Sequence, residues 1–94
     1  MTNETNNVNI IAVEEKEVKM YIIGEEFANM IKKMKTSYIA EELGMNLAYI
    51  SSILNGKKCS EIVAKGILSI YFNIAINYDS MNELLEKYFI KVQD

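Results

Sequence analysis

The sequence predicts a mainly α-helical fold in which an amino-terminal β-hairpin precedes five helices. Three observations lead to this fold class. Two β-branched runs occupy residues 8–13 and 18–23, apolar residues recur at helical spacing after residue 25, and residues 36–56 have the spacing of a helix-turn-helix. We expect residues 1–7 to form a flexible tail and residues 8–94 to form a single domain.

The hairpin is predicted from the runs VNIIAV (residues 8–13) and VKMYII (residues 18–23), which four residues connect. Apolar and polar positions alternate along the second run, as they do on a half-buried strand. A two-stranded hairpin is marginally stable alone, so we expect it to pack on the helices or to pair with another chain.

Apolar spacing predicts the first and fourth helices. In the first, Phe27, Met30, Ile31 and Met34 fall at i, i+3, i+4 and i+7 and form one stripe. The fourth is expected from about residue 61 to residue 72, with Ser60 as its N-cap. The residues expected on its core face are Ile62, Val63, Gly66, Ile67 and Ile70.

The last helix is expected to begin at Ser80, because Ser80 and Glu83 have the spacing of a capping box. Its apolar stripe is wide for a terminal helix, so burial in the core and a dimer interface both remain open. The stripe consists of Met81, Leu84, Leu85, Tyr88 and Phe89.

The second and third helices are predicted from residues 36–56, TSYIAEELGMNLAYISSILNG. Ala40 is small where two helices would approach most closely. Gly44 suits the left-handed backbone that ends a helix, and Ile50 anchors the next helix from the inside. Small, turn and core residues therefore agree on one tight helix crossing.

On these residues the chain resembles the lambda-repressor-like (Cro/CI, or XRE) family of helix-turn-helix proteins. The stretches AEELGMN, YIS and NG carry the resemblance, which spans roughly residues 25–85. It implies a five-helix bundle that dimerises and lays its third helix in the major groove of duplex DNA. The chain is also similar in size and character to winged DNA-binding accessory proteins of clostridial conjugative plasmids.

The resemblance implies a set of contact residues. Base-facing positions fall on Asn46, Leu47, Ala48, Ser51, Ser52 and Asn55, with Tyr49 at the edge. Phosphate contacts fall on Thr36 and Ser37, either of which is also expected to cap the second helix, and on Lys57, Lys58 and Lys35. Leu47 and Ala48 stand where the family usually places polar base readers. We therefore expect readout to rest partly on thymine methyl groups.

The charge distribution separates the middle of the chain from its ends. The total is −3, which by itself opposes binding to nucleic acid. Six lysines and three glutamates lie between residues 27 and 65, a local charge of +3, and the remainder carries −6. A basic middle of this kind favours one positive face.

Composition argues against catalysis and against a metal centre. The chain has no histidine, its carboxylate pairs are sequence neighbours that point apart, and Cys59 is the only cysteine. We expect Cys59 to be a small surface residue in a loop, and we expect no enzyme activity, cofactor, metal or small-molecule ligand. Neither a signal peptide nor a run of about 18 apolar residues is present, which predicts a cytoplasmic protein without a membrane partner.

Two functional classes stay open. The leading hypothesis is sequence-selective binding of double-stranded DNA by a homodimer, as a phage or plasmid transcriptional regulator or a plasmid transfer accessory protein. The alternative is a protein-interaction module of the antirepressor or antitoxin type, which uses the same fold without DNA.

The hairpin also allows two interpretations. As a wing it would bring Lys16 and Lys19 to DNA. As a dimerisation ribbon or core cover it would not, and its acidic loop favours this second interpretation.

Overall fold

Helices make up most of residues 19–92, the part of the chain that the computed structural model describes. In chain order the elements are β1 (Met20–Ile23), α1 (Glu25–Ile31), α2 (Thr36–Leu43), α3 (Leu47–Leu54), β2 (Cys59–Ser60), α4 (Glu61–Phe72), α5 (Met81–Tyr88) and β3 (Phe89–Lys91). The mainly α-helical class is confirmed. The predicted tail, the strand at residues 8–13 and Lys16 lie outside the described residues.

The described strands form one antiparallel sheet in the order β2-β1-β3. Tyr21 is paired on both edges of β1, with Cys59 on one side and Lys91 on the other. The neighbours of β1 are therefore two strands that the sequence did not predict, and the described sheet is not the expected amino-terminal hairpin. The reason is that this pairing joins residues about 40 and 70 positions apart, which local patterns do not report.

Helix α2 spans the predicted residues, but its start differs from the expectation. Lys35 is the N-cap residue, and no side chain accepts a capping hydrogen bond there, so the expected cap by Thr36 or Ser37 is wrong. Gly44 ends the helix with φ of 66°, in the left-handed region that the sequence analysis assigned to it.

Helix α4 confirms its predicted bounds, and the Ser60 hydroxyl accepts a hydrogen bond from the Val63 N–H at 3.4 Å. Ile62 is the error, because 69% of its surface is exposed. The buried face of α4 centres on Val63, Ala64, Ile67 and Leu68. At 100° per residue Ile62 lies about 180° from the middle of that face.

A second close helix approach was not predicted. A Cβ added to Gly66 on α4 would lie 2.8 Å from a terminal methyl group of Leu43 on α2. The absence of a side chain at Gly66 thus lets α4 pack closely behind α2.

Helix α5 is shorter than predicted and is followed at once by β3. Ser80 is the N-cap residue, but its side chain makes no capping hydrogen bond, so the expected capping box does not form. Phe89 belongs to β3 and is paired with Ile23, whereas the sequence placed it in the helix. Of the two interpretations of the apolar stripe, the described chain shows core burial for Met81, Leu85 and Phe89.

Phe27 lies at the centre of the core, fully buried. Its ring centroid lies 5.3 Å from that of Tyr71 and 6.1 Å from that of Phe72, both on α4. The ring of Tyr88 on α5 lies 5.1 Å away and that of Phe89 on β3 lies 5.8 Å away. One side chain of α1 thereby joins three other elements.

Cys59 corrects another expectation. It is fully buried and not exposed in a loop, because it belongs to β2 and pairs there with Tyr21 of the central strand. Burial raises the pKa of its thiol to about 11.

Within residues 19–92, none of the helices has both the length and the apolar character that crossing a membrane requires.

We expect Phe27→Ala to lower the free energy of unfolding by about 3–5 kcal/mol, because it removes a fully buried ring from four aromatic contacts. Urea denaturation followed by circular dichroism measures the change. The matched control is Tyr78→Ala, since Tyr78 is 52% exposed, and its effect should stay within about 0.5 kcal/mol. Equal effects of the two substitutions would contradict the central place of Phe27.

The buried thiol leads to a prediction about reactivity. A thiol with a pKa of about 11 is almost entirely protonated at pH 8, and only the thiolate attacks disulfide reagents. The folded protein should therefore react at least about 100-fold more slowly than the urea-unfolded chain. The rate for the folded protein should rise as the pH approaches 11. A folded-state rate equal to the unfolded rate would show that Cys59 is accessible.

Candidate nucleic-acid interface

Helix α3 is held against the domain by one side. Ile50 and Ile53 are fully buried, and α3 packs against α2 and β1. The turn of residues 44–46 begins at the left-handed Gly44 and ends at Asn46, the N-cap of α3. The Asn46 side-chain oxygen accepts hydrogen bonds from the N–H of Ala48 at 2.8 Å and of Tyr49 at 3.2 Å. The start and the orientation of α3 are thus both defined locally.

The other side of α3 faces outward. Ala48, Ser52 and Asn55 are exposed at i, i+4 and i+7, and Leu47 beside them is 52% exposed. Ser51 and Tyr49 are half-buried at the margins. The residues that the resemblance assigned to base contact therefore share one face or border it.

Much of the hydrogen-bonding capacity of this face is used within the helix. The Ser52 hydroxyl donates to the Ala48 carbonyl at 3.0 Å, and the Asn55 amide donates to the Ser51 carbonyl at 2.9 Å. The Asn46 oxygen is engaged as the N-cap. Sequence reasoning treated these three side chains as readers, and it missed that their donors or acceptors already have partners.

The start of α2 offers backbone donors. Within residues 19–92, no carbonyl or side chain accepts a hydrogen bond from the N–H of Thr36 or Ser37. Lys35 and Ser37 are exposed, and Thr36 is half-buried. Two free amides thus lie at the positive end of a helix, on residues that also carry hydroxyl groups and directly after a lysine, and these are the group types that bind a phosphate.

Lysines lie near the carboxyl end of α3. The Lys57 ammonium stands 5.4 Å from the ring centroid of Tyr49, a cation–π contact that holds Lys57 beside the helix. Lys58 is exposed next to it.

Lys32, the C-cap residue of α1, lines a shallow cleft together with Asn55 and Asn29. Asn29 was not predicted as a site residue, and its spacing of three from Lys32, opposite the buried side of α1, is the signal that would have found it.

Lys19 lies apart from this group. It precedes β1, whereas Ile23 at the far end of that strand lines the cleft beside Asn55. Its neighbour is Glu61 on α4. The hydrogen bond from Lys65, 2.9 Å away, holds the pKa of the Glu61 carboxyl below its ordinary value, and Lys19 adds to this effect. The positive charge of Lys19 is therefore partly neutralised by the nearby Glu61 carboxylate.

The acidic excess of the chain lies largely outside the described residues. Residues 19–92 contain nine lysines and eight acidic side chains, a net charge of +1, and residues 1–18 with 93–94 carry the remaining −4. The overall charge of −3 thus differs in sign from the net charge of the described residues.

The comparisons add no relative from which a role might be carried over. No family model, no curated protein and no solved structure matches the chain. The side chains and their geometry are therefore the basis on which a function is inferred.

We expect Gly44→Ala to lower the free energy of unfolding by about 1–2 kcal/mol, because alanine resists the left-handed backbone at this position. No atom of the described chain lies within 4 Å of the added Cβ, so the cost is conformational and not steric. Gly44→Asn is the control and should cost less, since asparagine tolerates this conformation. Urea denaturation compares the two variants. Equal stability of Gly44→Ala and the natural protein would contradict this role of the turn.

Proposed function

We propose that this protein binds double-stranded DNA through a helix-turn-helix formed by α2, the turn at residues 44–46 and α3. One observation carries the proposal: α3 is anchored by Ile50 and Ile53 and presents an exposed face, with lysines near its carboxyl end. An exposed helix of this kind matches the width of the major groove, and lysines beside it would neutralise phosphates.

The start of α2 supports the same proposal. Its free N–H groups at Thr36 and Ser37, with Lys35, would hold one backbone phosphate. Lys57 and Lys58 would contact a second phosphate near the carboxyl end of α3. Phosphate contacts on both sides of a reading helix set its register on the duplex.

The proposal includes two copies of the chain on one duplex. A single eight-residue helix contacts few base pairs, and a second copy on a repeated site would extend the contact. Ile62 and Ile76 are exposed around one shallow pocket on α4 and the following loop, and they supply apolar surface for association. Within this function, a phage or plasmid regulator and a plasmid transfer accessory protein are the two roles proposed, both in the cytoplasm.

Titration of labelled duplexes across a salt series tests the function. Bound fragments are first selected from a random duplex pool with the full chain, and the best-bound fragment is then titrated by fluorescence anisotropy. We expect affinity to fall steeply as salt rises and two chains to bind each duplex. No duplex binding even at low salt would overturn the proposal and favour the protein-interaction module.

The lysine pair beside α3 provides the residue-level prediction. Replacing both Lys57 and Lys58 by alanine should weaken binding to all sequences alike and reduce the salt slope by about 2 per bound chain. The matched control replaces Lys87 and Lys91, which are exposed on α5 and β3 and remove the same charge. If both double variants change the slope equally, total charge and not this face determines binding.

A further inference from the structure

The amino end of α3 is unusual in being apolar and exposed at once. Leu47 and Ala48 are the first two residues of the helix, and both face outward, Leu47 with 52% of its surface exposed. The core does not use them, since the buried residues of α3 are Ile50 and Ile53. The end of the helix closest to Asn46 thus presents methyl groups where a DNA-reading helix commonly presents hydrogen-bonding groups.

Several polar atoms of the same face already have partners within the helix. The Ser52 donor is bound to the Ala48 carbonyl, the Asn55 donor to the Ser51 carbonyl, and the Asn46 acceptor to two N–H groups. To read a base edge with those atoms, the helix would have to break a hydrogen bond that it already makes, which offsets the gain. Those atoms are therefore poorer readers than the residue types suggest, whereas the methyl groups of Leu47 and Ala48 are free to make contact.

Only one base presents an apolar group in the major groove of ordinary DNA. Thymine carries a methyl group on C5, and the other three base edges present only donors and acceptors. From this we propose, on the basis of the DNA-binding function above, that α3 recognises pyrimidine C5 methyl groups through Leu47 and Ala48. The target is a duplex with thymine at the positions that meet the amino end of α3.

The gain in affinity comes from removing the C5 methyl group from water against the side chain of Leu47. Bringing one C5 methyl group out of water against Leu47 is worth about a fourfold gain in affinity. Two copies of the chain on a repeated site would double the number of such contacts. A methyl contact of this kind distinguishes thymine from cytosine, but it does not distinguish thymine from 5-methylcytosine.

Deoxyuridine in place of thymidine removes only the methyl group, and the hydrogen-bonding groups and the pairing stay unchanged. The best-bound duplex of the selection is synthesised in both forms and titrated with the full chain. We expect the uracil form to bind at least about fourfold more weakly, and about fourfold more for each further methyl contact. A third duplex, with 5-methylcytosine·guanine at the sensitive pair, should bind within about twofold of the thymine form.

Two variants assign the effect to the helix. Leu47→Ala should at least halve the difference in affinity between the thymine and uracil duplexes, because it truncates the larger of the two side chains that contact the methyl group. Tyr78→Ala, at a side chain outside α3 that is also 52% exposed, should keep the full difference. Since Leu47 is largely exposed, Leu47→Ala should fold normally, which circular dichroism checks.

The outcomes separate the two proposals. Equal binding of the thymine and uracil duplexes by the natural protein would overturn methyl recognition and leave DNA binding intact. A uracil effect that is undiminished in Leu47→Ala would also overturn it, since the methyl group would then act through the shape of the DNA. No binding to any duplex would overturn the DNA-binding function itself.

Discussion

The fold depends on the aromatic cluster around Phe27. A domain of this size buries little apolar surface, so one ring that contacts three other elements accounts for much of its cohesion. Phe27 packs against Tyr71 and Phe72 of α4, Tyr88 of α5 and Phe89 of β3. Because β3 pairs with β1, the same cluster also holds the sheet in place. The first and last described elements are thereby joined at one point.

The candidate interface is built on this frame without being part of it. Helix α3 contributes Ile50 and Ile53 to the core and leaves its opposite face in solvent. Gly44 and Asn46 define the turn before α3, and Gly66 lets α4 approach α2 closely from behind. The exposed face of α3 is thus supported by packed helices, which is the arrangement that the proposed DNA-reading role would need.

The exposed face of α3 has fewer free hydrogen-bonding atoms than its composition suggests. Its serines and asparagines look available in the sequence, yet Ser52 and Asn55 donate to the carbonyls of their own helix. Leu47 and Ala48 are exposed on the same helix and take no part in the core. Which polar atoms of this surface remain free for a partner is therefore decided by side-chain geometry, which residue type alone does not report.

Helix positions and turn chemistry were determined by the sequence, because they depend on neighbours three or four residues apart. The bounds of α2 and α4, the left-handed Gly44 and the Ser60 cap were all predictable in this way. Strands β2 and β3, the burial of Cys59 and the exposure of Ile62 were decided only by the tertiary structure. The strands and the burial of Cys59 depend on partners far along the chain, such as Tyr21 for Cys59, and such pairings leave no periodic trace in the sequence. Ile62 is exposed because the packing of α4 buries the face centred on Val63, Ala64, Ile67 and Leu68.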